Sequence, residues 1–251
     1  MIHTEDINGI SVLTLSRGKA NALDLEFCTE IVKAVEDILA SESGGLILTG
    51  NENIFSAGVD LPRILNEDAS YTSSFLFQLR KLFETLFTFP KPFVAAINGH
   101  AIAGGCVMAC CADFRVMAHG KGRVGAPELR VGVPFPTVAL EIMRFSLSGR
   151  RLDQVMFGGL TVEPMEALSL GLVNSLVPAD QLMSEAMLRI ESLASLPRAV
   201  FALTKQQLRA PIVDRFLRSP FDKDVDNLWQ SPETRKSIEK FVSEKIKKSA
   251  S

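Results

Sequence analysis

No stretch of this sequence holds the roughly 18 consecutive apolar residues that a membrane-spanning helix requires, so no such span is expected. Near the amino terminus stand His3, Glu5 and Asp6, where a secretory leader carries basic and then apolar residues. The chain is therefore expected in the cytoplasm, and Lys248-Ser249-Ala250-Ser251 is not the Ser-Lys-Leu address of peroxisomes. A cationic surplus is also missing. The 27 Lys and Arg stand against 29 Asp and Glu, a net charge of −2, so there is no basic field to attract a polyphosphate backbone and nucleic acid is not an expected partner. The densest cationic run, Lys240 to Lys248, is broken by Glu244 and reads as a solvated terminal helix. Cys28, Cys106, Cys110 and Cys111 form no CxxC pair, and the further close-spaced ligands of a metal site are lacking; buried free thiols are expected and no metal. Repeats and low-complexity segments are absent as well.

What is present describes an ordinary globular protein: 251 residues, 47% hydrophobic and 22% charged, enough for one large α/β domain or a core with a small appendage. Glu5 to Leu15 reads as two short β runs around Asn8-Gly9, a dipeptide suited to a tight hairpin turn. Asp24 can cap a helix whose apolar positions Phe27, Ile31, Val35, Ile38 and Leu39 recur at helical spacing, with Gly44-Gly45 as its stop and Leu46 to Thr49 as the next strand. A long helix is predicted from about Tyr71 to Phe89, ended by Pro90 and Pro92. The strand Phe93 to Ile97 then leads through Asn98-Gly99 to a segment beginning at Ala103-Gly104-Gly105. Strands alternating with helices imply a layered α/β core. Further helices are predicted near Thr137 to Leu147, Arg151 to Phe157, Pro164 to Leu170 and Ala179 to Leu196, with one more strand at Leu172 to Val177. From Pro197 onward only helices and loops are expected, which divides the chain into a core of residues 1–196 and a helical subdomain of residues 197–251.

Two loops can present free backbone amides. In Ser56-Ala57-Gly58-Val59-Asp60-Leu61, Gly58 lets the chain turn sharply after a predicted strand. In Gly99-His100-Ala101-Ile102-Ala103-Gly104-Gly105, the chain opens a helix over Cys106 to Cys111, whose first amides have no partner within the helix. Each is ordinary loop chemistry by itself. Together with Gly125-Ala126-Pro127-Glu128 they make a pattern that resembles the crotonase (enoyl-CoA hydratase/isomerase) family over most of the chain.

The resemblance implies an α/β fold, a crotonase-like spiral of ββα units with a C-terminal helical trimerisation region, and an assembly that is a homotrimer or a dimer of trimers. It implies an acyl-CoA thioester as substrate, with no cofactor beyond the coenzyme A that the substrate carries. By position in the motifs, the amides of Val59 and Gly104 should hold the thioester oxygen and favour the enolate over the ground-state carbonyl. Coenzyme A contacts are implied for Arg17, Lys19 and Ala20 and for the loop Ser56, Ala57, Gly58, Val59 and Asp60, together with Gly104. Asp60 also reads as the cap of a short helix starting near Leu61.

The base follows from the same pattern. Family hydratases place two glutamates about one water; here the second place holds Glu128 and the first is Val107. A lone glutamate after proline is ordinarily a helix-start or ion-pair carboxylate, and only the surrounding motif makes Glu128 a proton carrier. One carboxylate suits Δ3,Δ2-enoyl-CoA isomerisation, in which a single group removes the α proton and returns it at the γ carbon. The runs Leu129 to Phe135 and Leu203 to Arg209 also resemble the isomerase branch. Hydration, another crotonase (lyase) reaction, and non-catalytic acyl-CoA binding remain as alternatives. His100 reads as structural or gating, and Phe221 and Trp229 as packing residues or as lining of the acyl tunnel. Acyl-chain reach is left to packing around Ile64, Leu65, Phe75 and Leu79.

Overall fold

The computed structural model describes residues 1–147 and 149–249, with side chains through Lys245. The end of the cationic run and the terminal Ala250-Ser251 therefore lie outside the described residues or side chains. The chain opens with an antiparallel hairpin, β1 (Ile2–Ile7) and β2 (Ile10–Leu15), joined at Asn8-Gly9, where both φ angles are positive as a tight turn of this hand requires. Helix α1 (Leu25–Ala40) follows. Asp24 caps it by accepting the N–H of Phe27 at 2.8 Å, and Phe27, Ile31, Val35 and Ile38 are buried, whereas Leu39 is exposed. It ends at Ser41, ahead of the predicted Gly44-Gly45 stop, because the Ser41 hydroxyl donates back to the Ile38 carbonyl at 2.8 Å.

From there the chain repeats one move. Strand β3 (Leu46–Gly50) passes directly to β4 (Ile54–Ser56) and then to helices α2 (Leu61–Asn66) and α3 (Ala69–Thr88). Strand β5 (Phe93–Ile97) passes to β6 (His100–Ile102) and helix α4 (Gly104–Cys110). Strand β7 (Phe114–Ala118) passes to β8 (Val124–Gly125) and helices α5 (Glu128–Val131), α6 (Thr137–Ser146) and α7 (Gly149–Gly158). Each turn lays its first strand in one sheet and its second in another. The chain continues with β9 (Thr161–Val162), α8 (Pro164–Leu170), β10 (Ser175–Val177), α9 (Leu182–Ala194), α10 (Arg198–Leu217), α11 (Asp222–Trp229) and α12 (Pro232–Ser249).

The resulting six-stranded sheet has the order β1-β2-β3-β5-β7-β10 and is parallel beyond the opening hairpin. The four-stranded sheet has the order β4-β6-β8-β9, antiparallel only at β8/β9. This is the expected spiral of ββα turns. Strands β3 and β5 are buried on both faces, as helix-covered parallel strands must be. No helix among the described residues is long and apolar enough to cross a membrane.

Several elements differ from the sequence reading. Strand β7 was not anticipated, because Arg115 interrupts its apolar run; Arg115 is nevertheless buried and donates to the carbonyls of Leu172 (2.9 Å) and Gly171 (3.4 Å). The strand expected over Leu172 to Val177 shrinks to β10, since the loop after α8 delivers Leu172 and Val173 into the core first. Helix α4 starts at Gly104, two residues earlier than expected, which puts the Gly104 amide in its open first turn. The carboxy-terminal helices join the main core through Ile212, Phe216, Val225, Trp229 and Ile238. They are pinned by Asp113, which accepts from Lys205 Nζ (2.6 Å) and Arg209 Nη2 (2.7 Å), both cations being buried.

Candidate active site

The loop between β2 and α1 is organised by Asn21, a buried residue at φ 46° that sequence reasoning overlooked. Its amide donates to the carbonyls of Leu15 (3.1 Å) and Phe55 (3.1 Å) and to Asn51 Oδ1 (3.0 Å), tying the loop after β2 to β4. Ser56 completes the tie. Its buried hydroxyl donates to Asn21 O at 2.8 Å and accepts the Gly58 N–H at 3.1 Å.

This clamp aims one amide. Leu23 donates to Gly58 O (2.8 Å) and accepts from Asp60 N (2.9 Å), a parallel bridge that turns the N–H of the intervening Val59 to the opposite side. Gly58 has φ 81°, and a Cβ there would stand 2.7 Å from Ala103 Cβ and 3.0 Å from Gly104 N. The absence of a side chain thus lets the two amide-bearing loops touch. On the other loop, Ala103 takes φ 52°, an uncommon angle for alanine, while its N–H bonds to Gly125 O at 2.8 Å. Helix α4 can lie against β4 because a Cβ on Gly105 would otherwise meet Ser56 O at 2.4 Å. Neither the Val59 nor the Gly104 amide has an acceptor among the described residues. Both residues line one cavity of about 420 Å³.

Glu128 enters the same cavity at the start of α5, one turn after β8. Because Gly125 in β8 accepts the Ala103 amide, the strand that leads into Glu128 is hydrogen-bonded to the loop that leads into Gly104. The Glu128 side chain is buried among apolar neighbours, and its Oε2 has no hydrogen-bond partner among the described residues. Burial pushes its carboxyl up to about 8, against a smaller opposing pull from its own backbone N–H. Val107, Val131, Val133, Phe135 and Trp229 make the neighbouring wall. A neutral acid in an apolar cavity, beside two open amides, is an arrangement suited to moving a proton while an oxyanion is held.

The remaining sequence candidates divide by position. Ala20, Ala57 and Asp60 line the cavity, and Asp60 also caps α2 by accepting the Arg63 N–H at 3.0 Å, as its position suggested. Arg17 pairs with buried Asp24 and lies over the Phe27 ring, and Lys19 is exposed outside the cavity lining. His100 sits in β6 with its N–H on Asn53 O (3.3 Å) and does not line the cavity. Trp229 lines it, whereas Phe221 is exposed. Of the residues proposed for acyl reach, Leu79 faces the cavity and Ile64 and Phe75 are buried elsewhere in the core. Sequence reasoning missed Phe241 and Val242 of α12, which close one side of the cavity from more than a hundred residues downstream of Glu128. Cys28, Cys106, Cys110 and Cys111 are buried thiols.

The family model described as enoyl-CoA hydratase/isomerase matches residues 5–249, and the chain belongs to that family. Among its relatives is the mitochondrial enoyl-CoA delta isomerase 1 of Mus musculus, 30% identical over 245 residues that cover 96% of this chain and 84% of the relative. The crystal structure of human mitochondrial delta3-delta2-enoyl-CoA isomerase superposes with a TM-score of 0.93 at 27% identity, covering 100% of this chain and 99% of that one. An enoyl-CoA hydratase from Mycobacterium marinum is similar as well, with a TM-score of 0.78 and 27% identity over 86% of this chain and 94% of its own.

Proposed function

We propose that this chain is a Δ3,Δ2-enoyl-CoA isomerase in which Glu128 alone carries the proton. The observation that carries the reading is the asymmetry of the cavity: Glu128 is a buried carboxyl with an unpartnered oxygen, while Val107 occupies the place where the resemblance to hydratases would put a second glutamate. Asp60 also lines the cavity, but its carboxylate is engaged as the cap of α2.

In the proposed reaction the 3-enoyl thioester oxygen accepts the N–H groups of Val59 and Gly104. The Glu128 carboxylate removes a proton from C2, and the electron pair of that bond delocalises onto the thioester oxygen and across C3–C4 as a dienolate. The protonated Glu128 then returns the proton to C4, leaving the double bond between C2 and C3. Each amide is worth about 3–4 kcal/mol of barrier in comparable oxyanion sites. Hydration would need a second group to activate water, and Val107 has none to offer.

Coenzyme A is proposed to lie along Ala20, Ala57, Gly58 and Asp60, with Arg17 and Lys19 toward its phosphates and Ser56 shaping the loop beneath. The assembly is proposed to be a homotrimer formed through residues 197–251, where Val200, Leu203, Leu208 and Leu217 of α10 are exposed. Sedimentation at micromolar concentration tests this, and a stable monomer refutes it. A cytoplasmic location remains a proposal, since the mouse and human relatives are mitochondrial by name.

The deciding experiment offers the purified protein trans-3- and trans-2-enoyl-CoA side by side. Conversion of the first with little hydration of the second supports the isomerase. Efficient hydration refutes the single-base reading, and tight binding without exchange of the α proton in deuterated water makes the chain a silent acyl-CoA binder.

A further inference from the structure

A second recess, of about 130 Å³, lies beyond the catalytic cavity and is bounded by Ile64, Leu65, Thr72 and Ile238, with Glu67, Asp68 and Arg235 at its rim. Trp229 lines the recess and also the catalytic cavity, and no other described residue lining either of the two is common to both. The indole is thus a partition. It is buried (4% exposed), and its Nε1–H donates to Pro134 O at 3.0 Å, Pro134 being itself part of the catalytic wall.

The partition is held from behind. Arg80 of α3 donates to Asp226 of α11 (Nη2 to Oδ1, 2.5 Å), and Gln230 Nε2 donates to Ser73 Oγ at 2.9 Å. With its indole and its helix both tethered to the core, Trp229 is positioned as a fixed wall. Resting on the acyl-CoA reading above, we infer that Trp229 ends the acyl site and sets the longest acyl chain this protein accepts.

The expected signature is a break in affinity. Each methylene buried short of the indole should tighten binding about fourfold; once the chain meets the wall, further methylenes add nothing or weaken binding through overpacking. Calorimetric titration with saturated acyl-CoAs, from butanoyl to hexadecanoyl, reads this without turnover. Trp229→Ala and the milder Trp229→Leu join the two spaces and should move the break by two or more carbons. At the first length past the wild-type break they should bind about tenfold tighter than wild type. Trp229→Phe keeps a ring in place and should keep the break.

Absence of a break in wild type up to hexadecanoyl overturns the inference. So does an unmoved break in whichever truncation unfolds cooperatively, Trp229→Leu serving if Trp229→Ala does not fold. A shift in Trp229→Phe as large as in the truncations overturns it too, because the hydrogen bond and not the wall would then govern. Failure of wild type to bind any acyl-CoA overturns this inference together with the acyl-CoA reading, whereas binding with an unmoved break overturns this inference alone.

Discussion

Replacing Glu128 by glutamine removes the ionisable group while preserving the length and planarity of the side chain. If Glu128 is the sole base, kcat/KM for a 3-enoyl-CoA should fall by about 10²–10⁴, or roughly 3–5 kcal/mol of barrier. Affinity for a saturated acyl-CoA should stay within a few fold, because cavity shape and both amides are unchanged. Burial sets the carboxyl at about 8 in the folded protein. Wild-type kcat/KM should therefore rise close to tenfold per pH unit below about 8 and level above it, while the residual activity of the variant is flat.

Stability carries the same signature with a definite sign. The folded value, about 8, lies above the ordinary 4.5 of an unfolded chain, so between these values the folded state retains a proton that the unfolded state has lost. The corresponding stability is fully present below about pH 4.5, declines as pH rises to about 8 and changes no further. Across that interval it amounts to about 5 kcal/mol. Glutamine never ionises, so the melting temperature of Glu128→Gln should match wild type at about pH 4 and exceed it increasingly toward about pH 8. Absorbance of the conjugated 2-enoyl thioester follows the reaction, and thermal melts across pH follow stability. Turnover by the variant within tenfold of wild type, or a wild-type rate flat from pH 6 to 8, refutes the reasoning.

Gly58→Ala should drive a methyl into Ala103 and toward the Gly104 amide, separating the two donors; kcat is expected to drop at least about 10²-fold, as on losing one oxyanion donor, with acyl-CoA binding measured alongside. Val107→Glu places a second carboxyl in the cavity and should introduce measurable hydration of 2-enoyl-CoA, detected as 3-hydroxyacyl-CoA by chromatography, while slowing isomerisation. Asp113→Ala strands the buried Lys205 and Arg209 without their shared anion, and denaturant titration should show a loss of about 3–5 kcal/mol.

Local physics was legible in the chain by itself. Asn8-Gly9, Asp24, Asp60 and the apolar run Phe93–Ile97 declare the hairpin, two caps and a strand, because each acts on residues next to it. The motifs around Gly58, Gly104 and Glu128 pointed to the family, since only a narrow set of residues permits such close backbone approach. Tertiary structure decided the rest. Strand β7 forms despite Arg115 because distant carbonyls at Gly171 and Leu172 satisfy the guanidinium, and two- and three-residue strands such as β8 and β6 exist only because neighbours complete their hydrogen bonds. Likewise, that the Val59 amide is left without an acceptor among the described residues depends on its bridge to Leu23. The rise of Glu128 to about 8, and the enclosure of the cavity by Trp229, Phe241 and Val242, depend on burial by segments far along the chain. Desolvation and cavity shape belong to the packed ensemble of residues, and no local spacing encodes them.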